Sequence, residues 1–461
     1  MPPNAPRTVV AFAAVLLGAA CAGPATPAAA PPSNPGANAV DHLTELQRIA
    51  DANGGNRALG SPGYDASVEY VAGVLRTAGF QVTTPEFSAF RFSVEQEKLT
   101  VAGAEVPAKA LSFSPATPEA GITAPLTVTT GEGCDAAALG TVPPGSVVLV
   151  KRGTCPFGQK SAVAKAAGAA ALIVSNNEDA PLDSATLGQG TPDTVPTAGV
   201  SRADGEALAG KAGASVTVLL RTTTEEVRSR NVIAQTSTGN TGEVVMTGAH
   251  LDSVPEGPGI NDNGSGVAAL LTAAQRLGSA PAVTNAVRFG FWGAEEVGLV
   301  GSTAYVASVP EAERGSIALY LNFDMVGSPN AAYFVYDGDD SDKKGEGPGP
   351  AGSATVERAL AEALTGAGVT SAGTDFDGRS DYKPFIDAGI PAGGIFTGAE
   401  AIKTPEEAQR WGGTAGTAYD KCYHQACDKI DNVDRTALDR NTDVVTAVLN
   451  RFAQSTSDLN G

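Results

Sequence analysis

Five short stretches of this chain carry residue types that can do chemistry together. Gly248-Ala249-His250-Leu251-Asp252-Ser253 is followed closely by Gly259-Ile260-Asn261-Asp262-Asn263-Gly264-Ser265-Gly266. Ala294-Glu295-Glu296, Asn322-Phe323-Asp324 and Cys422-Tyr423-His424-Gln425-Ala426-Cys427-Asp428 lie further on. Imidazole combined with carboxylate oxygens suits zinc or a similar divalent ion. His250, Asp262, Glu296, Asp324 and His424 make five ligands, more than one ion needs and enough for two if one carboxylate bridges. Two ions about 3.5–4 Å apart clamp a hydroxide and polarise a carbonyl, which is aminopeptidase or phosphatase chemistry. Glu295 is then a spare carboxylate beside a ligand, the right stock for a general base. Asp252, two residues past His250, is placed to hold that ring by a hydrogen bond. His42, the third histidine, lies on an amphipathic helix and is expected to be structural.

The elements around these stretches give them positions. Glu243–Gly248 reads as a strand ending at His250, and Ser265–Leu277 as a helix stopped by Gly278. Val287–Trp292 alternates as a strand before Glu295 and Glu296, and Ile317–Phe323 is a buried strand ending at Asp324. The candidate ligands thus fall just past strand ends, where open α/β sheets place their sites. Upstream, Asp41 is the expected N-cap of one helix, and Ser61-Pro62 opens a second that Gly79 ends. Phe80–Phe92 reads as extended, 341–352 as a polar Gly/Pro loop, and Val433–Phe452 as a closing helix.

A length of 461 residues makes two domains the default. The formal net charge of −19 argues against a nucleic-acid partner, which needs a basic face. The five cysteines fall into two local pairs, 134 with 155 and 422 with 427, leaving Cys21 alone. That pattern points to export and an oxidising compartment. Arg7, the short apolar run Val9–Leu17 and the small residues after it have the layout of a signal peptide. Leu17-Gly18-Ala19-Ala20-Cys21 resembles a bacterial lipobox, with Gly18 where an aliphatic residue is usual, so both a lipid anchor at Cys21 and plain secretion stay open. Ala22–Asn38 has the Ala/Pro composition of a tether.

From about Leu111 to Arg221, short β runs alternate with Gly/Pro turns, and an alanine-rich helix is expected over Lys160–Ala169 before the strand Ala170–Val174. Gly133-Cys134 and Val148-Leu149-Val150-Lys151-Arg152-Gly153-Thr154-Cys155-Pro156-Phe157 resemble the protease-associated (PA) domain, a lid or interaction module without catalytic residues. The resemblance implies a structural disulfide between Cys134 and Cys155, a closure contributing on the order of 3 kcal/mol. The remainder, about residues 40–105 and 225–455, resembles peptidase family M28, the co-catalytic zinc aminopeptidases. That resemblance puts His250 and Asp324 on the first zinc, Glu296 and His424 on the second, Asp262 between them, and Glu295 on the general base. It further implies that Cys422 and Cys427 pair, that the Tyr423 hydroxyl helps hold the tetrahedral intermediate, and that Arg379 lies near the substrate or in a structural ion pair.

The expectation is therefore an α/β protein, a mixed sheet flanked by helices of zinc-peptidase type, with an inserted smaller β-rich α/β PA domain. It divides into a signal peptide over 1–21, a linker over 22–39, peptidase parts over 40–110 and 223–461, and the insert over 111–222. The activity implied is hydrolysis of N-terminal residues from peptides with a free N-terminus, using two zinc ions per chain, by an exported protein that is secreted or held at the membrane through Cys21. The alternatives are a carboxypeptidase or a glutaminyl cyclase on the same fold, or a non-catalytic PA-domain binding protein.

Overall fold

The computed structural model describes residue 1 and residues 38–460 apart from 180, 181, 183, 184, 191, 192 and 346, so the signal peptide, Cys21 and nearly all of the linker lie outside the described residues. Two eight-stranded mixed sheets organise the chain. The first has four parallel central strands, Asn285–Trp292, Asn240–His250, Ile317–Phe323 and Ala392–Phe396, in that spatial order. Strands 81–83 and 232–235 extend it antiparallel on one side, and strands 334–336 and 372–374 lie on the other.

Both faces of this sheet are covered. Val245, Ala249, Phe289, Phe291, Leu319 and Leu321 join one core with helices Gly264–Leu277, Arg435–Gln454 and Ala39–Ala52. Val244, Met246, Trp292 and Tyr320 point the other way and meet Tyr305, Val306 and Phe385 of helices 300–308 and 383–387. Every residue of Asn285–Trp292 is accordingly buried, whichever face it serves, which is the pattern of a central parallel strand.

Helix Gly264–Leu277 ends at Gly278 (φ 76°), as its sequence implies. The first helix starts earlier than expected: Asn38, not Asp41, is its N-cap, accepting from Val40 N. Asp41 lies in the first turn, where a negative charge complements the helix dipole. The alanine-rich helix likewise runs over Phe157–Ala166, starting straight after Pro156.

In the second sheet the order is 104–106, 86–101, 215–230, 122–128, 147–151, 171–175, 197–200 and 109–110. Its backbone is the long antiparallel pair 86–101 and 215–230, running from Glu86↔Arg230 to Val101↔Val216 with one register shift between Val94 and Gln96. This sheet therefore begins at Glu86, ahead of the change in composition near residue 111, and runs to Arg230. The Cys134–Cys155 disulfide (Cα–Cα 5.7 Å) joins the loops on either side of strand 147–151. A small cluster of Leu59, Phe87, Ala89 and Ala294 packs the foot of the ribbon against the first sheet. Among the described residues, no helix is long and apolar enough to cross a membrane.

His42 is fully buried, and Nε2 faces the Gln275 amide oxygen at 3.1 Å while Nδ1 faces the Tyr70 hydroxyl at 2.7 Å. An amide oxygen only accepts, so Nε2 carries the proton and Nδ1 accepts from Tyr70, a neutral ring satisfied on both sides. Burial holds its pKa below the usual histidine value, against the raising effects of Gln275 and Asp41. Below the unfolded-state pKa the unfolded chain gains a proton that the folded ring resists, so stability falls as pH drops through that range. At fixed zinc, the melting temperature of the His42→Gln variant should fall less between pH 7 and pH 5 than that of the wild type. Equal falls would show that the ring does not contribute to the acid response.

Candidate metal centre

The parallel strands deliver the candidate ligands at their C-terminal ends. His250 is the last residue of its strand, Asp324 follows Phe323 directly, and Glu295 and Glu296 follow Trp292 after a short turn. Asp262 precedes helix Gly264–Leu277, whose N-cap Asn263 accepts from Gly266 N and donates to Phe323 O. Gly266 permits that approach, since a Cβ there would lie 2.1 Å from Phe323 O. Gly248 does the same under His250, where a Cβ would meet Trp292 Nε1 and Tyr320 Oη at 2.4 Å.

Two groups of donor atoms result, His250/Asp262/Asp324 and Asp262/Glu296/His424, each with its atoms within 4.8 Å of one another, and Asp262 belongs to both. His250 Nε2 lies 3.1 Å from Asp262 Oδ1 and 3.4 Å from Asp324 Oδ1. His424 Nε2 lies 3.2 Å from Asp262 Oδ2 and 3.0 Å from Glu296 Oε2. Glu295 belongs to neither group.

His250 Nδ1 is 3.1 Å from the Asp252 carbonyl, which can only accept, so Nδ1 carries a proton. In the neutral ring the Nε2 lone pair then faces two carboxylate oxygens, an arrangement that calls for a cation between them. Glu296 Oε1 and Asp324 Oδ1 are also buried without a hydrogen-bond partner among the described residues. The donor set and these orphaned oxygens fit divalent ions.

Electrostatics agree. Burial lowers the His250 pKa, but Asp324, Glu295, Asp252 and Asp262 more than reverse this and hold it well above the usual value. For His424, burial is likewise outweighed by Asp262 and Glu296, and the pKa stands at about 11. Glu295 is driven well above the usual carboxylate range by burial first, with Glu296, Asp381 and Asp324 adding to this and His250 opposing it. Burial, reinforced by Asp262, pushes Glu296 to about 7.

Asp252 departs from the sequence expectation. Its carbonyl, rather than its carboxylate (Oδ1 at 3.8 Å), meets the His250 ring. The carboxylate instead accepts from Glu295 N and Glu296 N at 3.1 and 3.3 Å, fixing the loop that carries both glutamates. Arg379 bridges Tyr423 Oη (3.2 Å) and Glu400 (2.9 Å), so its ion pair is with a glutamate that no motif marks. Tyr423 stacks on the His424 ring with centroids 3.8 Å apart, and the Cys422–Cys427 disulfide brackets both.

Several supporting residues escape a sequence reading. Asp324 Oδ2 accepts from Ser380, Ser380 from Asn322, Asn322 from Tyr320 and Tyr320 from Trp292, a relay through the buried face of the sheet. Asp428 accepts from the main-chain N–H groups of Asn261 and Asp262, and Asp420 from the Asn261 and Asn432 side chains and Cys422 N. Their only sequence signal is an acidic residue near a ligand, which many solvated loops share.

The family model for peptidase family M28 matches residues 231–449, and that for the PA domain matches residues 122–208. A Mycobacterium tuberculosis protein named "Probable lipoprotein aminopeptidase LpqL" is 51% identical over 427 residues, covering 91% of this chain and 85% of that one. Among solved structures, an aminopeptidase from Aneurinibacillus sp. strain AM-1 superposes with a TM-score of 0.75 at 26% identity, over 91% of this chain and 94% of that one. BSAP, a zinc aminopeptidase from Bacillus subtilis, gives 0.67 at 28% identity, over 91% and 95%. Sheet, insert and acidic centre thus define a peptidase with a PA domain set into its α/β core. The chain belongs to peptidase family M28.

Removing Asp428 leaves two buried N–H groups without an acceptor beside Asp262, at a cost of about 1–3 kcal/mol each. Asp428→Ala should therefore lower unfolding stability by several kcal/mol and reduce retained metal after dialysis. Wild-type stability and metal content in that variant would show that Asp428 does not hold the Asp262 turn.

Proposed function

We propose that this protein is an exported aminopeptidase that binds two zinc ions through His250 and Asp324 on one side, Glu296 and His424 on the other, and Asp262 between. The observation that carries the reading is the pair of donor groups sharing Asp262, with Glu295 left free beside them. Two zinc ions at such a site make water nucleophilic near neutral pH and polarise the scissile carbonyl. Glu295 takes the proton of the attacking water and returns it to the leaving amine, a role suited to a carboxylate whose buried, acidic surroundings raise its proton affinity. Tyr423, held by Arg379 and stacked on His424, offers its hydroxyl to the developing oxyanion. The surplus of buried carboxylates attracts the free α-ammonium of a peptide N-terminus, which favours exopeptidase action.

Export follows from the signal-like N-terminus, and Cys21 is the proposed lipid anchor; the lipoprotein in the name of the M. tuberculosis relative supports this reading. The proposed division keeps the signal peptide at 1–21, the linker at 22–39 and a PA insert at 111–222, carried on the ribbon formed by 86–101 and 215–230.

Glu295→Gln should leave zinc content at two per chain while lowering kcat on aminoacyl-p-nitroanilides by about 10²–10⁴-fold. Turnover within threefold of wild type would remove Glu295 from the reaction. Activity should also vanish with chelator, return with zinc, and be absent on N-acetylated substrates; cleavage of the blocked substrates would turn the reading toward another peptidase.

A further inference from the structure

Arg57 lies in the turn between the first two helices, far in sequence from every ligand, yet it is fully buried. Burying a guanidinium is costly unless its charge and donors are satisfied. Among the described residues it forms no ion pair within 4.0 Å; its partners are main-chain carbonyls. Nε donates to Pro258 O at 2.9 Å, Nη1 to Leu251 O and Nη2 to Gly259 O. Leu251 stands between His250 and Asp252, while Pro258 and Gly259 open the turn that leads to Asp262. Main-chain contacts reinforce the junction, since Arg57 N donates to Ser253 Oγ and Ser253 N to Arg57 O. The carboxylates of Asp252, Asp428, Asp262 and Glu296 act on this cation at longer range.

We infer that Arg57 is a positioning residue of the metal centre. Its planar fork ties the His250 segment to the Asp262 turn, and its permanent charge offsets the repulsion among the carboxylates that converge there. A lysine supplies the charge from one flexible point and cannot meet three carbonyls at fixed angles. Leu251, Pro258 and Gly259 give the fork its shape, and the acidic wall gives the cation its place.

This inference rests on the two-metal reading, and cobalt(II) binding to the metal-stripped full chain tests the two separately. Wild type should take up two equivalents with a reproducible visible spectrum; no uptake would defeat the two-metal reading itself. Arg57→Gln, studied below its melting range, should bind cobalt at least tenfold more weakly with an altered spectrum. Arg57→Lys should recover part of the affinity, because the charge returns, but not the spectrum, because the fork does not. Lys403 is the matched control, a buried cation that also donates to main-chain carbonyls, those of Asn330 and Ala331, away from the ligand segments. Lys403→Met should lower the melting temperature and leave cobalt affinity and spectrum unchanged. If Arg57→Gln, or Arg57→Lys should the former not fold, binds two cobalt ions with wild-type affinity and spectrum, Arg57 is a fold contact only and the inference is overturned.

Discussion

The constraint on which this structure depends is the crowding of carboxylates around Asp262. Two imidazoles and the three carboxylates of Asp262, Glu296 and Asp324 converge on facing lone pairs, with Glu295 and the buried Asp381 close behind. Burial, reinforced by Asp324 and Asp252, drives Asp381 up to about 7 against the opposing pull of His250 and Ser302. Left in water these groups would separate. They are held by strands that end together, by N–H groups aimed at their supporting carboxylates and by the Cys422–Cys427 loop. Such an arrangement is stable only with positive charge among the oxygens, which is why both ring pKa values are raised and Arg57 is tolerated behind the site.

The backbone carries part of the same load. Ala294, Met325 and His424 all have φ between 52° and 58°, a left-handed conformation uncommon for residues with a Cβ. Each lies within two residues of a candidate ligand, Glu296, Asp324 or His424 itself. At Ala294 and Met325 the chain has just left a strand and turns back toward the strand ends, while His424 lies in the loop that the Cys422–Cys427 disulfide closes. The hydrogen bonds of Asp252 to Glu295 N and Glu296 N, and of Asn263 to Met325 N, hold two of these turns in place. The surrounding sheet, buried on both faces, is rigid enough to sustain them.

Much of this convergence is legible in the sequence because the candidate ligands are tied to local features. An apolar run that stops at His250 or Asp324 marks both a strand and its end, and Gly278 ends its helix for a reason visible in one residue. The spare carboxylate at Glu295 followed from counting donors. What stayed hidden acts through the main chain. Arg57 donates to carbonyls, which leave no mark on residue type, and Asp428 and Asp420 accept N–H groups from loops assembled only in three dimensions. Asp252 shows the limit within a motif: spacing placed it beside His250, but not which of its oxygens meets the ring. Residue type does not separate Asn38 from Asp41 as the N-cap, since either can cap, and only the path of the preceding chain decides between them.

The position of the insert follows from the same sheet. Strands 81–83 and 232–235 are already an antiparallel pair at its edge, and the ribbon 86–101/215–230 continues that pairing outward beyond Pro85 and Asn231. Asn231 anchors the exit by accepting from Gly293 N and donating to Gly301 O, on either side of the Glu295 loop. Phe87 and Ala89 pack on Ala294, and Gln189 of the insert donates to Val297 O. The loop bearing Glu295 is therefore gripped from within by Asp252 and from without by the insert. A second domain can be carried here at little cost to the first because it extends an existing strand pair.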